Sequence, residues 1–197
     1  MFWLIGINIL IFAAANLLGQ EVRTFLITRM SMVPILVRNG WIWTFVTYMF
    51  MHGSISHVLF NMFGLFIFGR QVEYQMGSRE FLLYYFLTGA LAGIFSFFVF
   101  VFSGNHWVFL MGASGALYAV MLAYAIFFPN SIIYIWGILP LRAPIMVLGY
   151  TVLALFFSVS GMNPGVAHFT HLAGFGFGWL YFVFRFRVNP WRRLTGR

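Results

Sequence analysis

Long apolar stretches, separated by short polar ones, dominate this chain. A transmembrane helix needs about 20 mostly apolar residues, and the chain offers about six candidates. The predicted spans are approximately 2–18, 56–68, 81–102, 113–128, 145–158 and 166–184. A dense turn signal, Gly161-Met162-Asn163-Pro164-Gly165, precedes the last span. Because the apolar runs are continuous rather than alternating, the pattern favours helices over a membrane barrel and predicts an all-α bundle.

Two connections between the predicted spans differ from simple turns. The first, about 19–54, is long and aromatic-rich, with Trp41 and Trp43 among its residues. Amphipathic rings of this kind settle at the membrane interface, which predicts a long outer loop there. The connection between the fourth and fifth spans is a short apolar hairpin that contains Pro140, Arg142 and Pro144.

The composition excludes a soluble domain. Hydrophobic residues make up 62% of the 197 residues and charged residues only 7%, against roughly 25% charged in soluble domains. With three acidic residues and no lysine, the chain has too little charge to cover an exterior in water. No linker-like run interrupts the sequence, so residues 1–197 are predicted to form a single polytopic membrane domain.

The net charge of +8 comes from arginines spread between apolar runs, unlike the clustered basic face of a nucleic-acid-binding protein. Five of the eleven lie in a basic tail, about 185–197, which predicts contact with membrane lipids and none with nucleic acid. With six spans and both termini inside, eight arginines fall on the inner side and three on the outer side. The positive-inside rule therefore predicts a multi-pass cell-membrane protein with cytoplasmic termini.

Few polar side chains occur in the spans, and such residues are candidate sites because they are costly in lipid. The chain has no Cys and no Asp, which excludes a cysteine nucleophile and a Ser-His-Asp triad. A dyad of Ser114 and His171 remains, both near the outer ends of their helices. His171 could accept the Ser114 proton and return it to the leaving amine.

The residues around Ser114 suit an oxyanion site. Gly112 and Gly115 permit a tight entry to the helix and a close approach of substrate backbone. The N-terminus of the helix offers free N–H groups and a positive dipole end. His57 and Asn61 are four residues apart on one helix face, so each could join the Ser114 N–H in holding one oxygen.

Small residues follow His171 at a helical spacing. Gly174 and Gly178 form the small-xxx-small pattern that allows close helix packing, which could bring His171 to Ser114. Tyr118 lies one turn below Ser114 on the same helix face and could support the His171 ring.

These motifs resemble the signature of rhomboid intramembrane proteases: Gly112-Ala113-Ser114-Gly115, the pattern from His171 to Gly178, and His52 with His57 and Asn61. The resemblance implies a six-helix core, a Ser114–His171 dyad without cofactor or metal, and cleavage of single-span membrane proteins near the outer face. It also implies an oxyanion hole from His57, Asn61 and the Ser114 backbone, with Tyr118 stacked on His171. Thr44 follows Trp43 where many members carry Arg, a residue that orders the first loop.

Other interpretations stay open at this point. Ser-Gly pairs and membrane histidines also serve helix packing, His168 is a weaker candidate base, and four histidines could hold zinc, although the usual zinc motif is absent. Glu73 is predicted to anchor the inner end of the second span, to Arg70 or Arg79. The alternative functions are a catalytically silent rhomboid-like protein that binds transmembrane helices, and a small transporter or channel. The sequence does not predict the oligomeric state.

Overall fold

The computed structural model describes residues 1–135, 137–160 and 168–195, and these are mostly helical. The helices are α1 (Phe2–Leu17), α2 (Gln20–Met30), α3 (Pro34–Arg38), α4 (Thr44–Thr47), α5 (Ile55–Gly64), α6 (Arg70–Met76), α7 (Ser78–Phe102), α8 (Ser114–Phe127), α9 (Ala143–Ser160), α10 (His168–Phe184) and α11 (Pro190–Thr195). A 3₁₀ turn (Tyr48–Phe50) follows α4, and a π-helical segment (Leu65–Gly69) joins α5 to α6. The predicted turn at 161–165 lies outside the described residues.

The second predicted span is longer than its apolar pattern indicated. Helix continues from Ile55 to Met76 through the π-helical segment, whereas the prediction ended at 68. The prediction that Glu73 pairs with Arg70 or Arg79 is wrong for the described residues, because Glu73 accepts a 2.9 Å bond from the Met1 amine. Polar residues at the end of a span therefore lie within the last helical turns and do not end the helix.

Two helices are long and apolar enough to cross a membrane, Ile55–Met76 and Ser78–Phe102. The apolar segments Phe2–Leu17, Ser114–Phe127 and Ala143–Ser158 are shorter than 18 residues. By length and composition, the described helices thus account for two spans, and the predicted total of six stays a prediction.

Helix α8 occupies the centre of the molecule. It packs most extensively against α10 and α7, and its side chains from Ala119 to Ala123 are all buried. The Cβ of Ala119 lies where a side chain on Gly178 would go, 3.1 Å from an added Cβ. Small residues on α8 and α10 therefore let the two helices touch along one seam.

The predicted first loop contains helices α2 to α4. Arg29 lies over the Trp41 ring, 4.7 Å from its centroid, and Trp41 stacks on Trp43 at 5.3 Å. Thr44 is buried, and its hydroxyl donates to the Trp41 carbonyl at 2.6 Å. A cation–π contact and an aromatic stack thus order the segment around the position where many rhomboids carry Arg.

The prediction of an all-α fold needs one correction. Strands β1 (Ile132–Ile135) and β2 (Leu139–Arg142) form an antiparallel hairpin, with Ile132 opposite Arg142. The β-branched run of β1 favours a strand, and the left-handed Gly137 (φ 72°) lies at the turn.

A polar cluster joins the start of α7 to the end of α10. Glu80 accepts hydrogen bonds from the Tyr181 hydroxyl at 2.6 Å and from Nε of Arg185 at 2.9 Å. This contact raises the pKa of Arg185 above its usual range, mainly through the hydrogen bond to Glu80. Beyond it, the predicted basic tail forms the short helix α11.

Candidate active site

The structure brings Ser114 and His171 into hydrogen-bond contact. Oγ of Ser114 lies 2.8 Å from Nε2 of His171, across a separation of 57 residues. Ser114 is the first residue of α8, and His171 is in the first turn of α10. A hydroxyl and an imidazole at this distance are close enough for direct proton transfer between them.

The His171 ring is held from one side by aromatic packing. Tyr118 stacks on it with ring centroids 4.3 Å apart and planes 14° apart. Phe175 meets the Tyr118 ring edge-on at 4.9 Å. Because Tyr118 lies one turn after Ser114, the same face of α8 carries the hydroxyl and the stacking partner.

A glycine contact sets the separation of α8 and α10 beside the dyad. A Cβ added to Gly174 would overlap the carbonyl of Gly115. Gly174 is three residues after His171, and Gly115 directly follows Ser114. The absence of a side chain at Gly174 therefore permits the Ser114–His171 distance.

A buried hydroxyl pair joins α10 to α7 next to the candidate base. Oγ1 of Thr170 lies 2.6 Å from Oγ of Ser96, and both residues are buried. Ser96 donates its single hydroxyl proton to the Ala92 carbonyl at 2.8 Å. Thr170 is therefore the donor in the pair, and the bond fixes the rotation of α10 on the residue before His171.

Gly112 places His57 against the entry to α8. Gly112 has φ of 120°, and a Cβ added there would lie 2.6 Å from Nε2 of His57. Its N–H donates to the Tyr48 carbonyl at 3.0 Å. Only glycine fits both the backbone conformation and the space. The His57 ring therefore packs against Gly112, which precedes Ser114 by two residues in the sequence.

Asn61 lies one turn below His57 and is buried. Its Nδ2 donates to the His57 carbonyl at 2.9 Å, which uses one of two N–H groups. The other N–H of Nδ2 stays available as a donor. Within the described residues, Asn61 makes no hydrogen bond to Ser114.

Two further histidines, His52 and His168, form ring contacts with the two already described. His52 meets His57 edge-on at 4.9 Å, and His168 meets His171 at 6.1 Å. Burial, and then the proximity of His57, lower the pKa of His52 to about 3. His52 is therefore neutral at physiological pH and packs against the candidate oxyanion-hole histidine without adding charge.

His168 packs against α9 as well as against His171. Its ring stacks on Phe157 at 5.2 Å. The described residues contain no group of three potential metal ligands among His, Cys, Asp and Glu.

Sequence reasoning missed three residues that contact this site. Thr170 and Ser96 form the hydroxyl pair, and Tyr48 donates to the Gly89 carbonyl at 2.7 Å while its oxygen lies 3.2 Å from a Cβ added to Gly115. Thr170 directly precedes the candidate base, which is a usable signal. Ser96 on α7 and Tyr48 in the first loop have no such signal in the sequence, because their approach to the site depends on the tertiary fold.

The sequence of this chain is similar to a known family model and to several known proteins. The sequence model of the Rhomboid domain matches residues 39–188. The "Putative rhomboid protease YdcA" of Bacillus subtilis is 29% identical over 73% of this chain and 67% of its own length. "Rhomboid protease GlpG" of Klebsiella pneumoniae is 27% identical over 87% of this chain and 58% of its own length.

A plant relative is similar at the same level. "RHOMBOID-like protein 12, mitochondrial" of Arabidopsis thaliana is 29% identical over 70% of this chain and 44% of its own length. The chain spans between 38% and 67% of the length of this plant protein, of the Bacillus protein and of a second plant relative.

Proposed function

Because the chain belongs to the rhomboid family of membrane proteins, we propose that it is an intramembrane serine endopeptidase in which Ser114 is the nucleophile and His171 the base. The observation that carries the proposal is the 2.8 Å contact between Oγ of Ser114 and Nε2 of His171. The protease names of the bacterial relatives support the same reaction class.

The first half of the proposed reaction forms an acyl-enzyme. Nε2 of His171 accepts the Ser114 proton as Oγ attacks the substrate carbonyl, and the C–O bond forms as the carbonyl becomes an oxyanion. The imidazolium then donates its proton to the leaving amine as the C–N bond breaks. Tyr118 holds the ring plane during both transfers, because it stacks on His171.

The second half consumes water. His171 accepts a proton from water as the oxygen attacks the acyl carbonyl, and it returns that proton to Oγ of Ser114 when the acid product leaves. In both halves, the Ser114 N–H at the start of α8, with His57 and Asn61, stabilises the developing negative charge. The packing of His57 against Gly112 supports this placement.

The proposed substrate class is single-span membrane proteins cleaved near the outer membrane face. The proposed topology has six spans with both termini in the cytoplasm, in a cell membrane, with residues 1–197 as one domain. Helices of the substrate would enter sideways between the second and fifth spans. The apolar, outward-facing residues of α9, such as Leu148 and Val152, suit contact with lipid or a substrate helix.

The test is cleavage of a generic single-span substrate by purified protein in liposomes. Wild type is compared with Ser114→Ala and His171→Ala, with products read by gel and mass spectrometry. We expect loss of at least about 10³-fold in rate for each variant, as for other nucleophile–base pairs. Retained cleavage in either variant would contradict the proposal.

A fluorophosphonate probe separates a wrong substrate from a silent enzyme. Labelling of Ser114 without cleavage means that the substrate is unsuitable. Failure of labelling as well as cleavage favours the alternative function, a rhomboid-like protein that binds transmembrane helices without cutting them.

A further inference from the structure

A groove lies beyond the last long helix, at the opposite end of α10 from His171. It is open, has a volume of about 660 Å³, and is formed by the end of α10 together with the segment that leads into α11. The lining residues are Trp179, Val183, Arg187, Val188, Asn189 and Trp191.

The groove is apolar at one end and polar at the other. Trp179 and Val183 lie one turn apart on α10, and Arg187 follows the end of that helix, so the wall changes from apolar to cationic towards the tail. Oδ1 of Asn189 accepts the Trp191 N–H at 3.0 Å, which leaves the Asn189 amide donors at the polar end. Trp191 is 62% exposed, and Trp favours the membrane interface.

The positive charge of this end has no counter-charge within the described chain. Arg185 is paired with Glu80, and Glu73 is paired with the Met1 amine. No carboxylate pairs with Arg187, Arg192 or Arg193 among the described residues. The third acidic residue, Glu21, follows the far end of α1, about 24 Å from Met1.

The backbone at Arg187 is held in a costly conformation. Its φ is 54°, and it is the sole described residue other than glycine with a positive φ. Glycine usually occupies the left-handed position that ends a helix, whereas a side chain there is strained. The Val188 N–H bond to the Phe182 carbonyl at 3.1 Å closes the turn and keeps Arg187 at the groove. The turn that ends α10 thus fixes Arg187 beside the groove that it lines.

We infer that this groove binds one anionic glycerophospholipid of the surrounding bilayer. An acyl chain lies along Trp179 and Val183, and the phosphate is held by the Arg187 guanidinium and the Asn189 amide. The ligand supplies a counter-charge for Arg187, and its order from apolar to anionic complements the order of the wall from apolar to cationic. This inference goes beyond the proposed proteolysis and requires neither Ser114 nor His171.

The test measures lipid retention by native mass spectrometry of the full chain. Protein in neutral detergent receives equal amounts of phosphatidylglycerol and phosphatidylcholine. Wild type should retain one phosphatidylglycerol in preference to phosphatidylcholine. Arg187→Gln should lower that preference about fivefold, the usual effect of one arginine near an anionic lipid surface.

Matched variants separate this site from general charge. Arg142→Gln removes an exposed arginine of the β-hairpin and should leave the preference unchanged. Arg187→Gly should lose the preference without a lower unfolding temperature, because glycine adopts the left-handed backbone freely. Trp191→Ala should reduce retention of both lipids while the ratio between them is kept.

Three outcomes would overturn the inference. They are equal retention of both lipids by wild type, an equal loss of preference in Arg142→Gln, and displacement of the lipid by millimolar inorganic phosphate. The experiment is repeated in Ser114→Ala, so inactivity towards protein substrates and failure of lipid binding are read separately.

Discussion

The Thr170–Ser96 bond connects packing to the chemistry at the level of single residues. Thr170 donates to Ser96, Ser96 donates to Ala92, and the chain of bonds ends on α7. His171 follows Thr170 directly, so the rotation of α10 that this bond fixes also directs the imidazole toward Ser114. In the proposed reaction, we therefore expect Thr170 to act as a positioning residue rather than a catalytic one.

Replacement of Thr170 by Val keeps the shape of the side chain but removes the donor to Ser96. We expect a stability loss of about 1–2 kcal/mol and a fall in kcat of about tenfold at unchanged KM, since α10 can then rotate. The measurements are thermal unfolding and steady-state cleavage.

The matched control is Thr88→Val, which removes another buried hydroxyl, bonded to the Tyr84 carbonyl at 2.7 Å within α7. Thr88→Val should lose similar stability but keep kcat. Thr170→Ser keeps a hydroxyl donor, so its kcat should return to the wild-type level that Thr170→Val loses. An equal fall in kcat for both valine variants would make the role of Thr170 purely structural.

At the scale of elements, the contact between α8 and α10 decides whether the dyad exists. The two helices meet where Gly174 faces the Gly115 carbonyl and where Gly178 faces Ala119. A glycine in a helix costs stability relative to alanine, so its use here indicates a required close approach. The distance between Ser114 and His171 follows from that approach.

Gly174→Ala should separate α8 from α10, because its Cβ would overlap the Gly115 carbonyl. We expect a stability loss of about 1–3 kcal/mol, as for other overpacked cores, and loss of fluorophosphonate labelling of Ser114. Gly176→Ala on the same helix is the control, since an added Cβ there meets nothing within 4 Å. Equal labelling of the two variants would show that this contact does not set the dyad.

Much of the element pattern was predictable from hydrophobicity. The predicted all-α fold is confirmed in part, since the described residues are mostly helical but include one β-hairpin. The first span differs by one residue at its end, Leu17 against 18. The rhomboid resemblance is also confirmed. It could be predicted because each of its motifs is a short run of neighbouring residues.

Other features depend on contacts that sequence does not display. The partner of Glu73 lies 72 residues away, and the Thr170–Ser96 pair joins residues 74 apart. The hairpin at Ile132–Arg142 was missed as a sheet because apolar pattern alone does not separate short strands from helix ends.

At the scale of the whole molecule, charge and orientation belong together. Met1, Glu73, Glu80 and Arg185 gather at one end through two ion pairs. The turn between α7 and α8, with Asn105, lies at the other end of α7. The arginine distribution predicts that the first end faces the cytoplasm.

Because the chain contains no cysteine, single-cysteine variants can report orientation without background. Asn105→Cys and Thr195→Cys both place the thiol at exposed positions. A membrane-impermeant maleimide should label Asn105→Cys in intact cells, and Thr195→Cys only after permeabilisation. Labelling of Thr195→Cys in intact cells would reverse the proposed topology.

Helix α8 is shorter than the hydrocarbon layer of a bilayer. Its 14 residues extend about 21 Å, against about 30 Å for the hydrocarbon layer. In the proposed orientation, when the inner end of α8 lies at the inner boundary of the hydrocarbon layer, Ser114 lies about 9 Å beneath the outer boundary. The proposed hydrolysis consumes water, so the proposal requires a wet depression that reaches that depth. The thickness of the host bilayer then sets how far water and substrate descend, which links turnover to the length of lipid chains.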